Sequence, residues 1–356
     1  MKYKISEIGK VVGGGTPSTK HTEYYSKNGL AWITPKDLSD YHKKYIGHGT
    51  KDISEEGLKH SSAKLLPINS ILISSRAPIG YVAMAGTDLA TSQGFKSIIP
   101  DTTKILPDYL YYLMLRSKNK LERIASGSTF KEVSGREMSN FVVDIPELKI
   151  QKEIVQKLNP ISKEIEKNNV INDNLLELAK ALFYEKFSYD DEILLSNYFL
   201  PKRGKNLLKR NVVNGYIPVV AGGLTPAAFH NKSNTESPVI TISSSGANAG
   251  YTQIWGQKVW SSDSSYIDKT VTDNIYFWYL LIKSHQKQIF DSQTGSAQPH
   301  IYPQDIGNIL IPKINEVVAK KVDKAVTPIF QKIFQNKNEN KKLDNIKAVL
   351  LDRYFD

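Results

Sequence analysis

The residues with the strongest claim to chemistry are a glycine-rich run, scattered histidines, two acidic motifs and clusters of lysine and arginine. The run Gly13-Gly14-Gly15-Thr16-Pro17-Ser18-Thr19-Lys20 lacks the Gly-Lys-Ser/Thr ending that places a lysine and a magnesium-binding hydroxyl in a nucleotide loop, and no G-x-G-x-x-G follows a strand. It reads either as a plain turn or as a loop that grips a phosphate with its backbone, its hydroxyls and Lys20. His42, His48 and His60 share a polar stretch without the i,i+4 helical spacing of a metal site, and are read as solvated. Pro107-Asp108 and Glu147-Leu148-Lys149 are the pieces of a metal-dependent nuclease, but the gap is long and Glu147 sits beside Pro146 at a helix entrance, where an acid suits the helix dipole. The sequence has no Pro-Pro, hence no base-holding loop of an adenine methyltransferase, and no Gly-x-Ser-x-Gly. The absence of cysteine removes disulfides, thiolate nucleophiles and Cys-based metal sites together. No catalytic residue and no metal ligand is assigned.

What remains is a binding surface. The sequence carries 47 Lys and Arg against 36 Asp and Glu, a net charge of +11, which favours a polyanionic partner such as nucleic acid or an acidic membrane surface. Lys and Arg interleaved with Ser, Thr, Asn and Tyr suit phosphate contacts and hydrogen bonds to base edges. In the first half the candidates are Thr16, Ser18, Lys20, Lys36, Arg76, Tyr81, Lys131 and Arg136. In the second they are Lys202, Arg203, Lys205, Lys209, Ser245, Asn248 and Tyr251.

The elements that must position these residues occur twice. Ile71-Leu72-Ile73-Ser74-Ser75-Arg76 through Gly80-Tyr81 matches Ile240-Thr241-Ile242-Ser243-Ser244-Ser245 through Gly250-Tyr251, with one insertion. The aromatic segment Tyr109–Ser117 matches Tyr276–Ser284, Gly127-Ser128 matches Gly295-Ser296, and strands ending at Pro146 and Pro312 match each other. Each half closes with a long glycine-free segment, from about Leu148 to Phe187 and from about Ile314 to Phe355. Pro160 and Pro328 fall at equivalent places, 168 residues apart (328 − 160). Each proline removes one backbone hydrogen bond and is expected to bend or restart its helix.

Apolar residues recur at heptad spacing in both segments: Leu158, Ile161, Ile165, Leu175, Ala179 and Leu182 in one, Val326, Ile329, Ile333, Leu343 and Leu350 in the other. The seam is interrupted at matching positions by Asn168 and Asn172 and by Asn336 and Asn340. A tandem duplication pairs most simply about a two-fold axis, which makes the helices antiparallel and brings these asparagines together at their midpoints. They then form a buried register-fixing cluster or, alternatively, a solvated, frayed turn. The pairing seam is assigned to Ile165, Asn168, Asn172, Leu175, Leu182, Ile333, Asn336, Asn340, Leu343 and Leu350.

A length of 356 residues exceeds one ordinary core. The expected organisation is α+β: a first mixed α/β domain over 1–146, a central spacer helix over 147–187, a second domain over 188–312 and a C-terminal spacer helix over 313–356. The start lacks a secretory apolar core and no stretch approaches the roughly 18 apolar residues of a membrane helix, so a cytoplasmic protein with no membrane association is expected.

The sequence resembles the specificity subunits of Type I restriction–modification systems. The resemblance rests on Lys4-Ile5-Ser6-Glu7-Ile8-Gly9, Gly13-Gly14-Gly15-Thr16-Pro17-Ser18, Gly29-Leu30-Ala31-Trp32-Ile33-Thr34-Pro35-Lys36-Asp37-Leu38, Ile71 through Gly80, and Ile145-Pro146 followed by Gln151-Lys152-Glu153-Ile154. It implies two target-recognition domains held apart by two long antiparallel coiled-coil helices, each domain reading half of a bipartite site on double-stranded DNA. It also implies two modification (methyltransferase) subunits and restriction (translocase and nuclease) subunits as partners. S-adenosylmethionine, ATP and magnesium would belong to those partners, with no cofactor and no catalysis in this chain. The second half departs from the pattern, having Tyr216-Ile217-Pro218-Val219-Val220-Ala221-Gly222-Gly223 in place of the Trp-Ile-Thr-Pro-Lys-Asp segment. A non-catalytic assembly protein whose globular ends bind other proteins is the alternative reading.

Overall fold

In a computed structural model, the protein is described at all residues except 40, 42, 128–130, 186–190 and 296–298. His42, the serines of the Gly127-Ser128 and Gly295-Ser296 match, and the expected boundary at 187–188 lie outside the described residues. The chain forms two compact units, one comprising Met1–Glu166 with Asn340–Asp356 and the other Lys167–Glu339.

In the first unit a five-stranded sheet runs in the order Gly9–Gly13, Lys96–Pro100, Ile71–Ile73, Val82–Ala85, Tyr45–Ile46, with only the last pair parallel. The strand Ile71–Ile73 is wholly buried, as a continuous β-branched and aliphatic run must be when both its faces are covered. A four-stranded sheet orders Tyr25–Ser26, Lys51–Ile53, Leu30–Ile33 and Ala90–Thr91. Lys2–Lys4 pairs with Val142–Asp144, the strand that leads into the central helix. The helix Pro107–Arg116 opens on a proline that presets the first turn, and buries Tyr109 through Met114 against Ile71, Ile73, Met84 and Ile98.

The second unit repeats this plan. Lys202–Arg203, Ser264–Asp268, Val239–Ser243 and Thr252–Trp255 form an antiparallel sheet. Ile217–Val220 pairs antiparallel with Ala228–His230 and parallel with Trp260–Ser261. Glu192–Leu194 pairs with Leu310–Pro312 before the C-terminal helix. The helix Ile275–Ser284 buries Ile275 through Ile282 against Ile240, Ile242 and Ile267.

In both units a side chain of a long helix accepts from a backbone N–H at the start of the aromatic helix. Gln151, fully buried, accepts from the Leu106 N–H at 2.9 Å and donates to the carbonyls of Lys104 and Pro146. In the second unit half-buried Asp323, four residues beyond the position that matches Gln151 (323 − 168 = 155), accepts from the Phe277 N–H at 3.0 Å in the first turn of its helix, and burial pushes its carboxyl above the usual range.

The long helices run from Leu148 to Tyr184 and from Glu316 to Phe355, each with its proline inside. Of the bend or restart expected at Pro160 and Pro328, the restart is therefore corrected. A proline deletes one bond of the ladder, while Leu158 and Ser162 around Pro160, and Val326, Ile329 and Phe330 around Pro328, are buried and anchor the turns on either side. Within the first unit Lys157 Nζ donates to Tyr354 at 3.1 Å and Asn340 Nδ2 to the Ile165 carbonyl at 3.4 Å. Within the second Asn168 Nδ2 donates to Glu339 at 3.5 Å and Asn336 Nδ2 to Asn172 Oδ1 at 2.9 Å. In each unit rising numbers on one helix meet falling numbers on the other, so the pairing is antiparallel. All four asparagines are buried, as are Ile165, Ala179, Val326 and Ile333; Leu175, Leu182 and Leu350 pack partly buried against the unit cores, and Leu343 is half-buried.

Asn336 Oδ1 is buried with no partner among the described residues. Asn336→Ala strands Asn172 as well and should lower stability by about 1–3 kcal/mol, whereas the double change Asn172→Leu with Asn336→Leu should raise the melting temperature. Thermal melts of the three proteins decide it. A second outcome concerns Asp37, which accepts from both the N–H and the hydroxyl of Thr34 and of Thr50. Burial pushes its carboxyl up, but these bonds outweigh it and hold it below the ordinary value. A depressed folded-state pKa contributes stability that is present above about pH 4 and is lost as pH falls through the folded value. The stability gap between the protein and Asp37→Asn, measured by urea titration, should therefore be full at neutral pH and close in acid.

Candidate nucleic-acid interface

The glycine run does not present its backbone. The Gly14 N–H donates to the Phe95 carbonyl and the Gly15 N–H to that of Thr91, while Trp32 Nε1 donates to the Gly15 carbonyl. A Cβ on Gly14 would lie 1.9 Å from the Ser92 carbonyl oxygen, so glycine serves close packing here. The reading of the run as a backbone phosphate grip is corrected accordingly. The side chains of Thr16, Ser18 and Lys20 remain exposed.

Several first-half candidates converge on one short turn, Gln93-Gly94. Thr16 Oγ1 accepts from the Gln93 N–H at 3.5 Å, and Pro35, beside exposed Lys36, lies against Gly94. Ser75, which precedes Arg76, donates its N–H to the Gly94 carbonyl at 2.7 Å. The loop from Ser126 to Glu132, which carries exposed Lys131, is closed by two backbone bonds of 3.0 and 2.9 Å, and beside it the Val133 N–H donates to the carbonyl of the same Ser75. Thr34 and Asp37 fix the 3-10 turn Pro35–Leu38 that displays Lys36. Arg136 is exposed on the helix Gly135–Asn140, whose start is capped by reciprocal bonds between Ser134 and Glu137. Tyr81 is half-buried and packs against the sheet.

The second unit rebuilds this junction with other side chains. Ser244 donates its N–H to the Asp263 carbonyl, the Ile301 N–H donates to Ser244, and a loop from Thr294 to His300 is closed by backbone bonds of 2.9 and 2.8 Å. Asp263 thus stands where the first unit has Gly94. Arg203 pairs with Asp263 at 3.3 Å, its guanidinium 5.6 Å from the Tyr302 ring centre, and the Ser245 hydroxyl donates to the other carboxylate oxygen. Lys205 follows on the same edge, its N–H donating to Ser261, with its side chain exposed. Lys209 is exposed on a short 3-10 turn.

Other candidates are engaged in holding the fold. Lys202 Nζ donates to Thr270 Oγ1 at 2.6 Å, Asn248 Nδ2 donates to the Gly222 carbonyl at 3.4 Å, and Tyr251 lies under Lys283 Nζ at 4.5 Å. Three charged participants escaped the sequence reading: Lys96, Glu132 and Asp263. Lys96 Nζ lies 2.9 Å from Glu132 Oε1, and Arg76 Nη1 3.3 Å from Glu132 Oε2. Burial pushes the Glu132 carboxyl up, and the two cations more than offset that and hold it below the usual range. The 168-residue offset, which pairs Glu132 with His300, was the signal that could have marked this loop.

Among the described residues no group of acids and histidines could hold a metal ion, and no helix is long and apolar enough to cross a membrane. The model of the Type I restriction modification DNA specificity domain family matches residues 1–176. The MjaIX specificity subunit of Methanocaldococcus jannaschii, a type I restriction enzyme subunit, is 31% identical, covering 98% of this chain and 91% of that one. The EcoR124I/EcoR124II specificity subunit of Escherichia coli is 30% identical over 44% of this chain and 39% of its own length. The crystal structure of the S subunit from M. genitalium superposes with a TM-score of 0.64 at 19% identity, covering 99% of this chain and 94% of that one, which shows the same fold. With that architecture and a relative matched along nearly its whole length, this chain belongs to the family of type I restriction enzyme specificity subunits.

Proposed function

We propose that this chain reads a bipartite sequence on double-stranded DNA, one half-site for each unit, and carries out no chemistry itself. The observation that carries this reading is the twice-built junction, in which a strand-end turn and a closed loop bring cations and hydroxyls to one edge, with different side chains in each unit. Different side chains on a shared scaffold are what an asymmetric target demands, since phosphate contacts position a protein and base-edge contacts specify the sequence. Thr16, Ser18, Lys20, Lys36, Arg76, Lys131 and Arg136 form the first reading surface, and Arg203, Lys205, Lys209 and Ser245 the core of the second. Tyr81 in the first unit, and Lys202, Asn248 and Tyr251 in the second, hold the scaffold of their own unit's surface.

The long helices serve as the spacer between half-sites and as the docking surface for two modification subunits and for restriction subunits. Val170, Leu178, Ile346 and Val349, apolar yet exposed on these helices, support that use. S-adenosylmethionine, ATP and magnesium would be bound by the partners.

Arg76→Ala should cost roughly 1–3 kcal/mol and relax preference at one base pair, whereas Lys36→Ala should weaken binding to all sequences alike and reduce the salt slope by about one. Binding titrations on duplexes at several salt concentrations, with and without a modification subunit, make the comparison. An Arg76→Ala protein with unchanged affinity and unchanged sequence preference would remove Arg76 from the reading surface.

A further inference from the structure

In both units an arginine on the candidate surface is held by an acid. Glu132 takes Arg76 through one carboxylate oxygen and Lys96 through the other; Asp263 takes Arg203 through one oxygen and the Ser245 hydroxyl through the other. The two acids come from unrelated positions, Glu132 from the end of the closed loop and Asp263 from the turn that in the first unit is Gln93-Gly94. The arrangement is nonetheless the same: a partly exposed carboxylate, 33% and 37% accessible, beside a partly exposed arginine, 35% and 42% accessible.

On a surface meant only to grip a polyanion, such acids are a liability. Each cancels a cation and repels a phosphate brought near it. Their effect differs for the two kinds of DNA contact. A backbone phosphate brings its own full negative charge toward the carboxylate. A guanine edge offers the arginine two neutral acceptors and no charge, so the acid opposes it far less. A cytosine edge presents an N4 donor that the carboxylate can itself accept. An exposed ion pair is weak, on the order of 1 kcal/mol or less, so an arginine can leave it when a well-placed base edge replaces the acceptor.

Resting on the DNA-reading function above, we propose that Glu132 and Asp263 are specificity-determining positioning residues that keep Arg76 and Arg203 off backbone phosphates and yield them to matching base edges. Random DNA then meets a surface of reduced positive charge. The cognate half-site is the one that supplies an acceptor good enough to take the arginine from its acid. The two units are tuned separately, since each has its own acid.

The test uses the whole chain and a pool of random-sequence duplexes, with binding measured over a salt series and bound molecules selected and sequenced. Glu132→Gln should bind the random pool several-fold more tightly, with a salt slope steeper by about one, and its selected sequences should lose preference in one half-site only. Asp263→Asn should do the same in the other half-site, so a folding defect in either variant leaves the second to decide. Glu132→Asp, which keeps the charge, should retain the original base preference. The inference is overturned if the charge-removing variants bind the pool no more tightly and select the same sequences, or if they weaken every duplex alike while melting at the original temperature. A parent chain that binds no duplex, alone or with a modification subunit, would instead overturn the DNA reading itself, a result visible before any variant is made.

Discussion

The antiparallel pairing of the two long helices is the contact on which the rest depends, because it completes both cores. In the first unit it returns Leu350, Tyr354 and Phe355 to the aromatic helix near the start of the chain, where Phe355 packs 5.1 Å from Tyr109 between ring centres. In the second it sets Phe330 and Phe334 against Tyr276, with Phe330 and Tyr276 stacked at 4.9 Å. The cluster around each aromatic helix includes side chains of the long helices, while the cluster between the two sheets of the first unit, with Ile33, Leu72 and Phe95, is built without them. The four asparagines lie in the seam at a cost in burial, and the Asn172–Asn336 bond is satisfied in one alignment of the helices. A polar layer of this kind trades stability for a single register.

Much of this was legible in the sequence, and the reason is the repeat. One strand-and-helix pattern seen twice at a constant offset fixes element order far better than either copy alone. The strands near Ile71, Lys96, Val239 and Leu310 and both aromatic helices could be read directly from β-branched and aromatic runs. The prolines misled as to a restart, because local propensity charges the helix one hydrogen bond and ignores the buried residues that anchor its flanking turns. The glycine run misled for a related reason: composition shows where backbone N–H groups are unhindered, but not that Phe95 and Thr91 already accept them.

The candidate surface was legible in its residue types and not in its pairings. Lysines and arginines stand out in any composition, so Arg76 and Arg203 were visible. Their acids were not, since Glu132 lies 56 residues from Arg76 and Asp263 lies 60 from Arg203, and nothing local links them. Gly94 and Asp263 occupy the same place in the fold with no chemical kinship. Such equivalences belong to the backbone hydrogen bonds of Ser75 and Ser244 and appear only once the chain is folded.

One unit is continuous, Lys167–Glu339, while the other needs residues 340–356 to finish a core begun at Met1. During synthesis the second unit can therefore close before the first, although it is made later. Until residues 340–356 emerge, the cluster around the helix Pro107–Arg116 lacks Phe355 and the partly buried Leu350, Leu351 and Tyr354, and so keeps an uncovered apolar edge of the kind that favours aggregation. Loss of residues 340–356 would accordingly damage the unit that begins at Met1 and spare the one formed by Lys167–Glu339.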